Sequence, residues 1–174
     1  MIKFLVLLPL SLLAISFSPA IVTAPLPTDT KPVPEWVDDI DRLVDILSRW
    51  PSADQSIIYE VAVSVAEWSH EIEVDADLVL AVMRVENPWL IPDTVSLAGA
   101  VGLMQVMPRY WSESFSLCGS DLTEVDANIC KGVNVLRYYL DRHEGDFESA
   151  MLAYNGCLSE YCRGYTGHVL RHLD

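Results

Sequence analysis

Apolar residues recur at intervals of three and four along two long stretches near the start of the chain. This spacing places them on one face of an α-helix, with polar residues on the other face. Pro51 ends the first helix because its ring cannot continue the hydrogen-bond pattern. The two stripes are Trp36, Ile40, Leu43, Leu47 and Trp50, then Ile58, Val61, Val65, Trp68 and Ile72.

A third predicted helix is apolar on nearly all sides. Asp75 is a typical N-cap residue at its start. Residues 78–85 are apolar except for Arg84, and such a run indicates a central, buried helix. Asn87 stands before a proline, and that position disfavours helical backbone. We therefore expect the helix to stop near Glu86.

The rest of the chain also has helical patterning, and no alternation typical of β-strands stands out. Residues 88–101 are expected to form a loop. Further helices are predicted over residues 102–110, from an N-cap at Asp126, over residues 147–154 and near residues 165–173. The fold class is therefore mainly α, as one compact helical domain.

The N-terminal segment has the pattern of a secretory signal peptide. A lysine precedes an apolar run over residues 4–17, which has the length of a signal-peptide core and is short for a membrane span. Small residues allow cleavage after Ala20 or Ala24, and the proline that follows Ala24 disfavours the later bond. We expect a signal peptide over residues 1–20. An uncleaved anchor over residues 4–24 is the alternative.

The next segment separates the leader from the domain. Residues 21–34 contain four prolines and no apolar periodicity, which is typical of an extended linker. Residues 35–174 then form the single expected domain, a length sufficient for one sizeable core.

All four cysteines lie in the last third of the chain. None is near the leader, so the sequence predicts no N-terminal lipid anchor. An even number in an exported chain indicates two disulfides. Short spacing favours the pairs Cys118–Cys130 and Cys157–Cys162. A zinc site is the alternative, but it requires a tighter tetrahedral pairing, and we expect no metal.

Acidic residues outnumber basic residues by 25 to 11, and the formal net charge is −14. Such a surface repels phosphate backbones, so the sequence predicts no nucleic-acid partner. It also disfavours an anionic membrane surface. A substrate that is held through neutral hydroxyl and amide groups remains compatible with this charge.

Glu86 is the candidate for acid chemistry. It follows an apolar helix whose end carries partial negative charge from unpaired carbonyl groups. Neighbours such as Met83 and Trp89 would desolvate its carboxyl group. Both effects raise the pKa, and a protonated carboxylic acid is what a glycosidic leaving group requires. The alternative is an ordinary surface glutamate at a helix end.

Two motifs downstream of Glu86 give it a family context. The first is Gly99-Ala100-Val101-Gly102-Leu103-Met104-Gln105, and the second is Ala153-Tyr154-Asn155. Together with Glu86 they resemble the soluble lytic transglycosylase family over about residues 70–171. The resemblance implies a lysozyme-like domain, with Glu86 as the acid and base of the reaction.

The resemblance also implies a set of residues that contact the glycan. Ser96 is expected to orient the substrate's N-acetyl group, and Tyr165 is expected to border the cleft. Asn87 departs from the family, which usually has serine directly after the catalytic glutamate. The expected substrate-binding residues are Asn87, Ser96, Met104, Gln105, Tyr154, Asn155 and Tyr165.

The activity implied is cleavage of the β-1,4 bond between N-acetylmuramic acid and N-acetylglucosamine in peptidoglycan, with 1,6-anhydro ends and no cofactor. Asp93, Glu113 and Asp121 would be candidates for the second carboxylate of a hydrolytic muramidase. A non-catalytic glycan-binding protein is a further alternative. The expected location is the periplasm or cell envelope, and the expected partner is the glycan strand. A partner in the envelope or a secretion apparatus is left open.

Overall fold

A computed structural model of the chain describes residues 33–156, 162 and 164–173. The predicted signal peptide and residues 21–32 of the predicted linker lie outside this part. The described residues are mainly helical, and their extended pairing is limited to isolated antiparallel bridges. No helix in the described part is long and apolar enough to cross a membrane.

The first two apolar stripes form helices as predicted. A 3₁₀ segment, Glu35–Asp39, leads into α1, Ile40–Ser48, and α2 spans Ile58–Ile72. The stripe residues Leu43, Leu47, Val61 and Val65 are fully buried. They form one side of the core because a period of 3.6 residues keeps them on one helix face.

α3 spans Ala76–Glu86 and lies in the core. Asp75 caps it as predicted, since its side chain accepts a 2.8 Å hydrogen bond from the N–H of Asp77. All residues from Ala76 to Met83 except Asp77 are buried. The helix ends at Glu86, so the glutamate stands where an apolar helix reaches the edge of the core.

Three helices from the second half of the chain complete the core. α5, Val125–Arg142, packs against α2, and α6, Phe147–Tyr154, packs against α5. α7, Gly164–Leu170, lies against both α3 and α6. This last contact places the C-terminal helix beside the end of α3.

The prediction of a helix over residues 102–110 is wrong for residues 102–107, which are not helical. Val101 pairs with Val95 and Val106 in two antiparallel bridges. Gly102 has φ of +82° and Gln105 has φ of +47°, and these left-handed conformations cannot belong to a right-handed helix. The helix α4 is confined to Pro108–Trp111.

Asp126 is not the N-cap of α5. Glu124 holds that position, and Asp126 lies in the first turn. Its Oδ1 accepts hydrogen bonds from Trp68 Nε1 at 2.8 Å and from Ser64 Oγ at 3.1 Å. The carboxylate therefore joins α5 to α2, because tertiary donors satisfy it better than its own helix end.

The Cys118–Cys130 disulfide is confirmed, with a Cα–Cα distance of 5.4 Å. It links the 3₁₀ segment Ser116–Cys118 to α5. Cys162 is also disulfide-bonded. Cys157 lies outside the described residues, so the predicted pair Cys157–Cys162 stays a prediction.

Candidate active site

The end of α3 opens into a cleft with two connected parts. The inner chamber has a volume of about 270 Å³, and its walls include Glu86, Ser96, Gln105, Tyr154 and Asn155. The structure therefore brings together five of the residues that were predicted from separate motifs. An outer groove of about 570 Å³ continues from it. Both parts share the walls Ala98, Met107, Tyr110, Tyr139, Ala153, Asn155 and Gly156.

The carboxyl group of Glu86 is tuned by burial and by one tyrosine. Burial raises its pKa to about 7, because desolvation disfavours the charged form. The hydroxyl of Tyr165 donates a 2.6 Å hydrogen bond to Oε1 and opposes this rise in part. Near neutral pH, Glu86 can therefore both give up and accept a proton.

Two tyrosines beside Glu86 stay neutral. Burial raises the pKa of Tyr154 and of Tyr165 above the usual range, and the nearby Glu86 charge adds to this in both. Tyr154 donates a 2.9 Å hydrogen bond to the carbonyl oxygen of Met104. Both hydroxyls therefore act as hydrogen-bond donors, and Glu86 is the group that exchanges protons.

Ser96 and Gln105 approach the inner chamber from the loop after α3. Ser96 Oγ accepts the N–H of Ala100 at 3.0 Å, so its own O–H proton is available to a ligand in the chamber. Gln105 Nε2 donates to the carbonyl oxygen of Gly102 at 2.9 Å. This bond fixes a polar side chain along the chamber wall.

Asn87 does not line the cleft, contrary to its predicted contact with substrate. Its side chain is only 1% exposed. Nδ2 donates to the carbonyl oxygens of Ile91 at 2.8 Å and Gly102 at 3.2 Å, and Oδ1 accepts the N–H of Ile91 at 3.1 Å. Its polar atoms are thus used to hold the loop that follows Glu86.

The side chain of Met104 is also turned away from the cleft. It is fully buried in the core and lies so close to Gly132 that a Cβ there would overlap it. The backbone of Met104 matters instead, since its carbonyl oxygen accepts the Tyr154 hydroxyl. An apolar side chain on a loop gains more free energy in the core than in an open cleft.

Asn128 supports the site in a way that motif reasoning did not assign. It is 1% exposed, and its Oδ1 accepts the N–H of Met104 at 2.8 Å. Its Nδ2 donates to the carbonyl oxygens of Val101 at 2.9 Å and Leu122 at 2.8 Å. The available signal was a polar residue beside the apolar stripe of α5.

Lys131 supports the segment at the end of α4, which also lines the inner chamber. Its side chain is fully buried, and Nζ donates to the carbonyl oxygens of Trp111, Ser112 and Ser114 at 3.4, 3.1 and 2.7 Å. Trp111 is the last residue of α4 and the two serines follow it, where carbonyl groups run out of helical partners. The lysine thereby positions Trp111, which lines the chamber.

Glu86 is the only carboxyl group among the described residues that line either part of the cleft. Asp93, Glu113 and Asp121 are exposed and line neither part. The described residues also contain no group of His, Cys, Asp or Glu side chains that could hold a metal ion.

A helical domain that presents one proton-exchanging carboxylic acid in an open cleft is suited to acid catalysis on a large substrate. The family model "Transglycosylase SLT domain" matches residues 64–163, more than half of the chain. The chain belongs to this family, and its fold is the compact, mainly α, lysozyme-like domain that was predicted.

The chain is also similar to a protein named "Transglycosylase" from Enterobacteria phage PRD1. The two are 33% identical over 111 residues, which cover 61% of this chain and 40% of that protein. The chain therefore matches less than half the length of this relative. No solved structure gives a significant match.

Proposed function

We propose that the chain is a lytic transglycosylase that cleaves the β-1,4 bond between N-acetylmuramic acid and N-acetylglucosamine in peptidoglycan. The observation that carries this proposal is Glu86, the single carboxyl group among the described residues that line the cleft, with a pKa that burial raises to about 7. Glycosidases that use water as the acceptor generally need two carboxylates. Membership of the transglycosylase family supports the same reading.

One carboxyl group is sufficient when the attacking group belongs to the substrate. Glu86 first donates its proton to the glycosidic oxygen, and the bond between that oxygen and C1 breaks. The 2-acetamido group of the muramic acid stabilises the cationic centre, as in substrate-assisted glycosidases. Ser96 lines the chamber, and we expect its hydroxyl to donate a hydrogen bond to this group.

The second half of the reaction restores the acid. Glu86, now ionised, removes the proton from the C6 hydroxyl of the same sugar, and the C6 oxygen bonds to C1. The product is a 1,6-anhydro sugar, Glu86 is protonated again, and no water is consumed. Intramolecular attack benefits from proximity.

Mass spectrometry of the products from purified sacculi tests the proposal. A transglycosylase releases anhydro-muropeptides, which are lighter by one water than the products of a hydrolytic muramidase. We expect anhydro ends throughout. Hydrolysed ends would replace the proposal with muramidase action, and unchanged sacculi between pH 4 and 8 would leave only a glycan-binding role.

We also propose that the protein is exported and works in the periplasm or cell envelope. The support is the signal-peptide pattern over residues 1–20 and the Cys118–Cys130 disulfide, since disulfides persist in oxidising compartments. Sequencing the N-terminus of protein recovered from the periplasm should give residue 21. Recovery of the whole chain in the cytoplasm would contradict export.

A further inference from the structure

The outer groove differs in chemistry from the inner chamber. Its walls include Arg109, Arg142 and His143, none of which lines the inner chamber. Arg109 belongs to α4, and Arg142 is the last residue of α5. Two guanidinium groups from different helices therefore border the same groove beside the candidate active site.

Aromatic side chains hold both guanidinium groups. Arg109 Cζ lies 4.5 Å from the ring centre of Tyr110. Arg142 Nη1 donates to the hydroxyl of Tyr138 at 3.3 Å, and its Cζ lies 6.0 Å from that ring. Stacking on a ring limits where the side chain can move and leaves most N–H groups for another acceptor.

Neither arginine has a carboxylate partner among the described residues. The ion pairs in this part of the chain are made by Arg42, Arg49 and Arg137. Acidic residues outnumber basic residues by 25 to 11, so two arginines without an ion pair at one groove are a notable concentration of positive charge on this chain. Their guanidinium groups are therefore available to an anionic ligand that enters the groove.

We infer that the outer groove binds carboxylate groups of the peptide stems that peptidoglycan carries on its muramic acid. This inference rests on the proposed function, because it assumes that glycan strands occupy the cleft. The sugar backbone offers hydroxyl and amide groups, whereas the stem peptides offer free carboxylates. A planar guanidinium matches a carboxylate with two parallel hydrogen bonds.

The test measures binding in a Glu86→Gln background, so that no cleavage occurs. The ligands are soluble stem-bearing glycan strands and the same strands after their carboxyl groups have been converted to primary amides. We expect tighter binding of the carboxylate form. Arg109→Gln and Arg142→Gln should each weaken that binding by about 3- to 10-fold and leave binding of the amidated form unchanged.

Arg49→Gln is the matched control, because it removes the same charge from an exposed arginine directly after α1 that does not line the cleft. It should change neither dissociation constant, and circular dichroism should show that all variants are folded. Equal affinity for the two strand forms, or equal losses on both, would overturn the inference. If wild-type protein leaves sacculi uncut while binding still discriminates, the proposed function fails and the carboxylate subsite stands.

Discussion

The carboxyl group of Glu86 has a raised pKa because of where its helix ends. α3 is buried from Ala76 to Met83 except at Asp77, so its last residue leaves the core at the floor of the cleft. The surrounding side chains exclude water from the carboxyl group, and Tyr165 supplies a hydrogen bond that favours the ionised form. These opposing effects place the pKa at about 7.

Changing Glu86 to Gln should abolish turnover while it preserves the fold. The amide keeps the shape of the side chain but cannot transfer the proton, so activity should fall by about 10²–10⁴-fold or more. The rate of muropeptide release measures this effect. Asp93→Asn is the matched control and should retain activity, since Asp93 does not line the cleft. An active, folded Glu86→Gln protein would refute the assignment.

Glu86→Gln should also remove the pH dependence of stability that the Glu86 carboxyl group causes. The folded state holds the Glu86 proton more tightly than the unfolded state, whose carboxyl has a pKa near 4.5. The stability from this group is therefore fully present below pH 4.5 and is lost as pH rises through about 7. Thermal melting should show that Glu86→Gln gains stability over wild type at pH 8 but not at pH 4. A constant difference would contradict the raised pKa.

Tyr165→Phe should change the pH profile of the reaction as well as its rate. Loss of the hydroxyl removes the bond that lowers the Glu86 pKa, so the pKa should rise above about 7. The pH range in which activity falls as pH increases should then move to higher pH. Steady-state rates between pH 5 and 9 measure the shift. A purely structural role for Tyr165 would lower the rate without moving this pH range.

At the level of elements, α5 holds two irregular segments that lead into the wall of the inner chamber. Its buried face carries Asn128, which binds the backbone of the 101–104 loop, and Lys131, which binds the carbonyls after α4. Gly132 leaves room for the side chain of Met104 between them. One rigid helix thus sets the distance between two irregular segments.

Asn128→Ala should destabilise the protein by about 2–4 kcal/mol, because it leaves the buried N–H of Met104 and the carbonyl of Leu122 without their partner. Chemical denaturation measures the loss. Asn134→Ala on the same helix is the matched control and should cost less than about 1 kcal/mol, since Asn134 donates to a carbonyl of its own helix. Equal costs would show that the loop does not depend on Asn128.

At the level of the whole molecule, the Cys118–Cys130 disulfide ties the segment before α5 to α5 itself. Cys118 and Cys130 are 12 residues apart, and Asn128 lies within the segment they enclose. The covalent link restricts the unfolded chain over residues 118–130, which join the 3₁₀ segment Ser116–Cys118 to the first turns of α5. It therefore stabilises the segment on which the loop contacts of α5 depend.

Replacing both Cys118 and Cys130 by Ala should lower the free energy of unfolding by about 3 kcal/mol, the chain-entropy value for a loop of this length. Calorimetry of the oxidised wild type and the double variant measures the difference. Thiol titration of denatured wild-type protein that was made in an oxidising compartment should find no reactive cysteine. Four reactive thiols would contradict the disulfide framework.

Local sequence information was sufficient for most helices and for the position of Glu86. The bounds 58–72, 76–86 and 147–154 agree with the predicted elements, because helical periodicity, capping and proline act within a few residues. The short spacing of Cys118 and Cys130 was also enough to predict their pairing. Only tertiary structure decided which side chains face the cleft.

Asn87 and Met104 belong to motifs near the site, yet their side chains point into the protein. Left-handed residues in the 102–105 turn direct the backbone in ways that hydrophobic periodicity does not encode. The bond from Tyr165 to Glu86 joins residues 79 positions apart. It exists because α7 packs against α3, and such contacts depend on how the whole core closes.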